Sequence, residues 1–426
     1  MTDQTPAGAA TKGASGPPLS FAALRQPGFG SYCITTMLAM MADNIEHVIS
    51  YWVIFEKFKS PALAGFAVLS HWLPFLLFSV YFGAFADRYD SRRIIQVAML
   101  LFMGVSVAWA LLFVTDTIEM WHAAVLLVIH GMAGVLWAPA SQMLIHDIVG
   151  RENIVSAVRL NATTRQLGIF LGPAVGGGLM LLLGPAMGLL VNALIYLPLV
   201  IWLWKVPFGS LERRAQAPAH APSGSGWFGD AAATLREVSG NRTLLSMMLL
   251  AGVSSLLVGN AFLAQMPEYA HDLGTEKADT SYAILLSANA AGAFAAGVLL
   301  ESGMRIQASA RTAIVLAIVW CMTVAGFAVA TDYTLAVALM FLTGFLYLAF
   351  VSMAQALVQL EAPAHLRGRL IGLFHMSHNG FRAFSGVTVG ILGALIGIHW
   401  SLALSALVLL TVIIALLGFS LRAQQR

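Results

Sequence analysis

The stretch GAFADRYDSRR, residues 83–93, decides the fold class because of where it places its charges. Its charged residues are Asp87, Arg88, Asp90, Arg92 and Arg93, which are five of seven consecutive positions in a chain that is only 10% charged. Apolar runs flank it at 62–86 and 94–115. A short charged loop between two such runs is typical of the connection between two membrane-spanning helices.

The composition of the whole chain agrees with this interpretation. Of 426 residues, 59% are hydrophobic, and the mean hydropathy of +0.80 is far above the soluble range. A helix needs roughly 20 mostly apolar residues to cross the hydrocarbon core. Twelve such runs occur, at 29–55, 62–86, 94–115, 122–147, 157–183, 185–204, 243–268, 280–300, 311–331, 334–360, 369–397 and 400–421. We therefore predict an all-α polytopic membrane protein with twelve transmembrane helices.

The distribution of Lys and Arg predicts the orientation of these helices. If both termini are cytoplasmic, 18 of the 23 basic residues lie on the cytoplasmic side, as the positive-inside rule favours. Lys57, Lys59 and Lys277 then face the outside, and Arg165 and Arg382 lie within the membrane. We expect a multi-pass protein of the plasma (inner) membrane, whose net charge of +3 reflects topology and implies no nucleic-acid partner.

A polar interval at 205–242 divides the twelve runs into six and six. Its Pro, Ala, Gly and Ser content predicts a flexible cytoplasmic linker, with a short interfacial helix at 228–238. We expect one six-helix bundle at 25–204 and a second at 243–421. The tract before residue 25 lacks the apolar core of a signal peptide, so we expect disordered cytoplasmic tails at 1–24 and 422–426.

Two matches between the halves indicate an internal repeat. GAFAD at 83–87 corresponds to GVLLE at 297–301, at an offset of 214 residues. HGMAGVLWAPASQ at 130–142 corresponds to TGFLYLAFVSMAQ at 343–355, at an offset of 213 residues. A duplicated six-helix unit is the architecture of transporters that bind substrate between two pseudo-symmetric halves.

The charged loop resembles the loop 2–3 motif of the major facilitator superfamily. Asp90 stands where the family usually has glycine, and Ser91 where it often has a basic residue. Because Asp tolerates tight-turn geometry, we expect the turn to be kept. The matching residues are Gly83, Asp87, Arg88, Arg92 and Arg93.

The resemblance implies a gate at this loop. A glycine at a helix end permits close helix approach, and a carboxylate four residues later can cap a neighbouring helix N-terminus. By the resemblance, Asp87 caps span 11 near 367–369 and holds the cytoplasmic gate closed in the outward-open state. Gly297 and Glu301 would act similarly against span 5. The alternative is that the charges serve only to set topology.

Span 5 carries a second motif, QLGIFLGPAVGGG at 166–178. It resembles the fifth-helix motif of proton-coupled exporters, except that Arg159 replaces the distant upstream glycine. Together with neighbouring loops it resembles the drug:proton antiporter group that includes enterobactin-exporter-like proteins, which implies proton-coupled export. Small residues permit close helix packing, and proline kinks a helix. The motif residues are Gly168, Gly172, Pro173, Gly176 and Gly177.

Span 1 contains ionisable residues inside an apolar run. Asp43, Glu46, His47 and Ser50 follow helical i, i+3, i+4, i+7 spacing and form one stripe. Buried charges in a membrane need partners or a water-filled cavity, so we predict that Asp43, then Glu46 and His47, carry protons. Alternatively, Asp43 bonds a neighbouring helix while the other two lie near the outer interface. The spacing would also suit a divalent metal, although no His-rich loop supports one and we assign no metal ligand.

Span 11 carries a matching stripe of His375, His378, Asn379 and Arg382. We expect these residues and Arg165 to line the cavity, where the arginines act as countercharges to Asp43, Glu46 or an anionic substrate group. The alternative is hydrogen bonding that only orders the bundle. That alternative has more weight for two further histidines, His71 and His130, which are single residues and not members of a stripe.

These features predict a secondary transporter that exports a small amphipathic drug or siderophore-like metabolite in exchange for protons by alternating access. Uptake or facilitated transport of a metabolite and divalent-metal export remain alternatives. The chain shows no G-x-S-x-G, H-E-x-x-H or phosphate-binding glycine loop, so we expect no enzyme and no cofactor. The linker is too short for the soluble domain of a sensor. We expect the monomer in the lipid bilayer to be the functional unit.

Overall fold

The computed structural model describes residues 20–58, 61–207, 226–259, 261–273, 278–302, 308–385 and 392–421. Regular secondary structure in these ranges is helical. The first part of the chain contains a 3₁₀ turn, Ala22–Arg25, followed by α1 Phe29–Phe58, α2 Pro61–Arg88, α3 Ser91–Val114, α4 Met120–Val149, α5 Ile154–Ile195 and α6 Leu197–Lys205.

The second part begins with a helix that lies between the halves in sequence, and continues with the helices of the second half. These are α7 Gly226–Val238, α8 Arg242–Leu257, α9 Ala261–Ala264, α10 Met266–Asp272, α11 Ala278–Ser302, α12 Ala310–Ala328, α13 Tyr333–Glu361, a 3₁₀ turn at Ala364–Leu366, α14 Arg367–His375, a π turn at Met376–Gly380, α15 Arg382–Ser385, α16 Leu392–Ile396 and α17 Ile398–Leu421. The α7 helix coincides with the short helix predicted in the linker.

These helices make twelve membrane crossings within the described ranges. Eight helical segments are long and apolar enough to span a bilayer, and the segment at 154–205 contains two crossings because it breaks at Gly184. Gly184 has φ of 77°, a left-handed conformation that favours glycine. The 30-residue α1, the α8 to α10 segment and the α14 to α16 segment supply the other three crossings.

Two predicted spans are not continuous α-helices. Span 7 ends its first helix at Leu257 and resumes at Ala261. Span 11 contains the π turn Met376–Gly380, which accommodates one more residue than an α-helical turn. Its polar stripe therefore does not lie on a regular α-helix, although His375 still contacts Asn379 and His378 still contacts Arg382. The break lies directly at the histidines of that stripe.

Short polar side chains begin several helices by accepting hydrogen bonds from free N–H groups. Asp90 caps α3 by accepting from Arg92 N at 2.9 Å, and Asp332 caps α13 by accepting from Leu335 N at 2.7 Å. Asp90 has φ of −62° and ψ of 114°. The tight turn between Arg88 and Ser91 is therefore kept, and Asp90 makes it as an extended N-cap residue and not in a left-handed conformation.

The glycines of span 5 pack α5 directly against α1. A Cβ added to Gly168 would lie 3.0 Å from Met40, and one added to Gly172 would lie 3.0 Å from the Met41 carbonyl oxygen. Gly176 similarly faces Ile45, at 3.2 Å from its Cα. This contact sets the distance of α1 from its neighbours and therefore places the polar stripe of α1.

The rest of the span 5 motif does not share this contact. A Cβ on Gly177 would meet no atom within 4 Å. The α5 backbone keeps helical torsion angles through Pro173, and its non-helical residue is Gly184. The predicted kink at Pro173 stays a prediction.

Candidate functional site

Asp87 joins the two halves at the end of α2. Its Oδ1 accepts a hydrogen bond from Gly368 N at 2.6 Å, and its Oδ2 accepts one from Arg369 N at 3.1 Å. These are free N–H groups in the first turn of α14, where a negative charge is favoured. A Cβ on Gly83 would collide with the Gly368 carbonyl oxygen, so glycine at position 83 permits this approach.

Glu301 makes the corresponding contact at the end of α11, but through side chains. Its Oε2 accepts a hydrogen bond from Ser156 Oγ at 2.6 Å, and its Oε1 lies 3.8 Å from Arg159 Nη1. A Cβ on Gly297 would collide with Thr163. The expectation that Glu301 caps span 5 as Asp87 caps span 11 is wrong in this respect: Ser156 and Arg159 reach the carboxylate with their own side chains.

The arginines of the loop after α2 have different partners. Arg92 donates to Asp90 through Nη2 at 2.7 Å and to the Val206 carbonyl oxygen at 2.6 Å, and Arg93 donates to Gln96 at 2.8 Å. Partial burial opposes ionisation of Asp90, but the hydrogen bonds from Arg92 hold the pKa of Asp90 below its usual value. Nη2 of Arg88 is buried and has no hydrogen-bond partner among the described residues.

We call the end of the molecule that carries Arg88, Arg92 and Arg367 the basic end. Two further contacts join the halves there. Gln359 donates to Gln142 at 2.9 Å in a buried position, and Arg367 Nη1 lies 3.4 Å from His146 Nδ1. Together with the contacts of Asp87 and Glu301, these contacts join the two halves at the basic end.

Inside the first half, His130 of α4 lies between the two carboxylates of α1. Its Nδ1 is 2.7 Å from Glu46 Oε1, and its Nε2 is 2.9 Å from Asp43 Oδ1. All three residues are buried, with exposed fractions of 8% for Asp43, 2% for Glu46 and 3% for His130. One imidazole therefore bridges two acids, an arrangement in which a proton can be held by any of three groups.

Polar residues of two more helices hold Glu46 in place. Ser106 of α3 donates to Glu46 Oε2 at 2.5 Å, and Asn192 of α5 donates to Ser106 at 3.2 Å. Ser50, the fourth residue of the α1 stripe, donates to the Glu46 backbone carbonyl instead of to its carboxylate. The carboxylate of Glu46 is thus oriented from α3 and α4.

Two more histidines complete this group, which we call the His130 cluster: Asp43, Glu46, His47, His71 and His130. The His47 ring centroid lies 4.8 Å from that of His71 and 4.7 Å from that of His130. His47 Nδ1 is 3.9 Å from Asp43 Oδ2. For His71 and His130 the sequence pattern favours hydrogen bonding between helices that orders the bundle. The structure places both histidines against the polar stripe of α1, because α2 and α4 pack beside it.

The three histidines are also the group best arranged to hold a metal ion in the described part of the chain. One nitrogen of each lies within 4.8 Å of the others. Two ligands of one tetrahedral Zn²⁺ are roughly 3.3 Å apart, given Zn–N distances near 2.0 Å. The rings would have to move closer by small side-chain rotations to bind an ion.

The polar residues of span 11 form a second group around Arg382. Asn379 Nδ2 lies 3.1 Å from His375 Nδ1, and Arg382 Nη2 lies 3.2 Å from His378 Nε2. Arg382 Nη2 also donates to the Tyr347 hydroxyl. Its guanidinium lies 5.0 Å from the centre of the Trp72 ring in the first half.

Arg165 lies opposite on α5, with its guanidinium 5.3 Å from the Trp137 ring. We call Arg165 and Arg382 the arginine pair. No carboxylate oxygen among the described residues lies within 4.0 Å of either guanidinium. Neither arginine forms an ion pair with Asp43 or Glu46, whose basic partner is His130. The countercharge role of the arginines stays a prediction.

Two adjoining cavities connect these groups. One, of about 360 Å³, has Asp43, His47 and His71 in its wall, and the other, of about 240 Å³, has His375 and His378. Both are lined by four shared residues, Arg165, Ile169, Asn379 and Arg382. The His130 cluster and span 11 therefore face one space between the halves.

Several residues of the cavities and of the His130 cluster with its hydrogen-bond partners were not predicted from sequence. They are His71, His130, Ser106, Asn192, Tyr347, Trp72 and Trp137. An ionisable residue inside an apolar span is itself a signal of function, and that signal was available for both histidines. The serine, the asparagine and the aromatic residues have no such signal, because those residue types are common in membrane helices.

Comparison with known proteins shows which family this chain belongs to. The sequence profile of the transmembrane secretion effector family matches residues 19–426. The staphyloferrin A transporter of Staphylococcus aureus is 20% identical over 181 residues, which are 41% of this chain and 46% of that protein. The chain thus aligns with about half the length of this relative.

Solved structures share the fold at low sequence identity. The fucose:proton symporter of E. coli superposes with a TM-score of 0.71 at 12% identity, covering 92% of this chain and 98% of the symporter. The human organic anion transporter superposes with a TM-score of 0.68 at 15% identity, covering 92% of this chain and 100% of that transporter. The fold is that of the major facilitator superfamily, with two pseudo-symmetric six-helix bundles.

Proposed function

Because the chain belongs to the transmembrane secretion effector family of the major facilitator superfamily, we propose that it exports a small amphipathic organic molecule in exchange for protons. The observation that carries the proposal is His130 held between Asp43 and Glu46, with Asp43 in the wall of the cavity between the halves. Such a group can take up and release a proton beside the substrate space.

Coupling follows from the position of the His130 cluster. Asp43 and His47 line the same cavity as Arg165 and Arg382. Protonation of Asp43 changes the charge of the wall beside the substrate space. Antiport follows if protonation and substrate binding compete for this cavity, because each then lowers the affinity for the other.

Alternating access requires that the closed basic end can open. Asp87 accepts two hydrogen bonds across the halves, and Glu301 accepts one from Ser156 and forms an ion pair with Arg159. We propose that these contacts hold the basic end closed while the cavity opens toward the opposite side. On the orientation predicted from the basic residues, the basic end is cytoplasmic in the plasma membrane, and the bundles at 25–204 and 243–421 rock about the cavity.

The named relative supports a siderophore-like metabolite as one substrate class, since that protein is a transporter of staphyloferrin A. Direction is supported by the secretion effector family and by the resemblance of the span 5 motif to proton-coupled exporters. Uptake by the same machinery is the alternative that a flux measurement would detect. We propose that a monomer carries out the cycle.

A second candidate is divalent-metal export, which the arrangement of His47, His71 and His130 favours. In that case the histidines would bind the transported ion. His47→Gln should then abolish metal-driven flux, whereas His271→Gln should not, because His271 is an exposed histidine outside the cavities.

Proton movement in inside-out vesicles with a preformed pH gradient tests both candidates. We expect the gradient to collapse on addition of an organic drug or siderophore, and this collapse to disappear in Asp43→Asn and Glu46→Gln. Asp116→Asn is the matched control, since Asp116 is an exposed aspartate paired with Lys57. Collapse with divalent metals alone would support the second candidate, and no collapse with any class would contradict proton antiport.

A further inference from the structure

We propose that the arginine pair binds two carboxylate groups of one molecule, so that the transported compound is a small organic polycarboxylate. This inference rests on the proposed transport function and names its substrate class. It is carried by two cationic side chains that face one cavity without an acidic partner among the described residues.

The nearby acids are engaged elsewhere. Asp43 and Glu46 form their ion pairs with His130, and neither carboxylate lies within 4.0 Å of an arginine of the pair. A guanidinium within the membrane region is costly without an anionic partner or water. Two of them lining the same space repel each other, and a bound dianion would relieve both the missing pairing and the repulsion.

The donors of the arginine pair remain available for a ligand. Arg165 has no hydrogen-bond acceptor in the described part of the chain, and its guanidinium lies over the Trp137 ring. Arg382 uses Nη2 for Tyr347 and His378, while its Nε has no hydrogen-bond partner. A guanidinium presents a planar set of N–H donors that matches the two oxygens of a carboxylate.

The two arginines belong to different halves of the molecule. Arg165 projects from α5 and Arg382 from the start of α15, so a ligand that contacts both spans the interface on which alternating access depends. A monocarboxylate would satisfy one arginine and leave the other unpaired. This is the reason for inferring at least two acidic groups.

The remaining lining indicates the body of the ligand. Trp72 and Trp137 present rings to the first cavity, and Gln166 and Asn379 add neutral polar groups to the second. Cavities of about 360 and 240 Å³ suit a compact molecule with apolar surface between its carboxylates.

Binding of benzene-1,3,5-tricarboxylate to the full-length protein in lipid nanodiscs tests this inference. Its neutral trimethyl ester is the matched probe, since it keeps the skeleton and removes the charges. By titration calorimetry we expect saturable binding of the trianion and binding of the ester at least about tenfold weaker. Arg165→Gln and Arg382→Gln should each weaken trianion binding by about tenfold or more.

Arg165→Lys and Arg382→Lys keep the positive charge and should lose less affinity than the Gln variants. Arg236→Gln, on the exposed face of α7, is the control and should bind like the wild type. Equal binding of acid and ester, unchanged binding in both Gln variants, or no saturable binding of the trianion would each overturn the inference. The binding assay uses no pH gradient. Its result therefore does not depend on proton coupling, and failure of this inference can be told apart from failure of the vesicle experiment.

Discussion

Asp87 and Gly368 lie 281 residues apart in the chain, yet Asp87 Oδ1 accepts a 2.6 Å hydrogen bond from the Gly368 backbone N–H. The contact ties the last turn of α2 to the first turn of α14. It combines a hydrogen bond with the attraction between a carboxylate and a helix N-terminus. Disrupting it should therefore change the balance between closed and open basic ends.

Asp87→Asn tests the charge in this contact. Asparagine keeps one acceptor oxygen but loses the attraction to the helix terminus, which is worth about 1 kcal/mol. We expect about a fivefold shift toward an open basic end. Distances between spin labels on the exposed residues Glu152 and Ala364 would measure it by pulsed electron resonance.

Asp90→Asn is the matched control for Asp87→Asn, because Asp90 caps α3 within the first half and asparagine also caps well. Its distance distribution should equal that of the wild type. An unchanged distribution in Asp87→Asn would show that Asp87 has no part in gating.

Gly83→Ala tests the close approach itself. The added Cβ would lie 2.9 Å from the Gly368 carbonyl carbon and 3.2 Å from the Arg369 Cα, and a backbone cannot rotate aside as a side chain can. We expect loss of the closed basic end and reduced transport. Gly104→Ala in α3 places its methyl in open space and should be neutral or stabilising by up to about 1 kcal/mol. Equal behaviour of the two variants would refute the steric argument.

Gly172→Ala should lower the stability of the first half. Its methyl would meet Met41 and Asn44 of α1, and overpacking of this kind costs about 1–3 kcal/mol. Thermal unfolding of the purified protein in detergent would show a lower midpoint. Gly177→Ala has free space and should keep the wild-type midpoint. A midpoint unchanged in both would mean that α1 and α5 can separate at little cost.

His130→Ala should be strongly destabilising, since it leaves Asp43 and Glu46 as two buried acids without their shared partner. Removing one member of a buried ionic group costs about 3–5 kcal/mol. Glu46→Gln added to His130→Ala should recover part of that loss, because one buried charge disappears. His271→Ala, at an exposed position, should change little. Failure of the second substitution to recover stability would show that packing, not charge, explains the loss.

The twelve crossings and their order follow from the sequence alone. A backbone in hydrocarbon must satisfy its hydrogen bonds internally, so each apolar run of sufficient length becomes helical, although the helices of spans 7 and 11 are interrupted. The charged loop at 83–93 and the weak repeat at an offset near 214 residues can also be identified from the sequence, because both are defined by the order and spacing of residues along the chain. Even Gly184, where α5 breaks, separates two runs that composition had already distinguished.

Tertiary structure alone decided which polar residues meet. Periodicity relates residues of one helix, so it aligned Asp43 with His47 and His375 with Asn379. It contains no information on rotation about the helix axis or on which helix packs alongside. The sequence therefore does not show that α4 places His130 beside α1. It also does not show that His130, and not Arg165, is the ion-pair partner of Asp43. The reason is that the distances from His130 and Arg165 to Asp43 depend on how several helices pack. The glycines that let α1 and α5 touch are part of that packing.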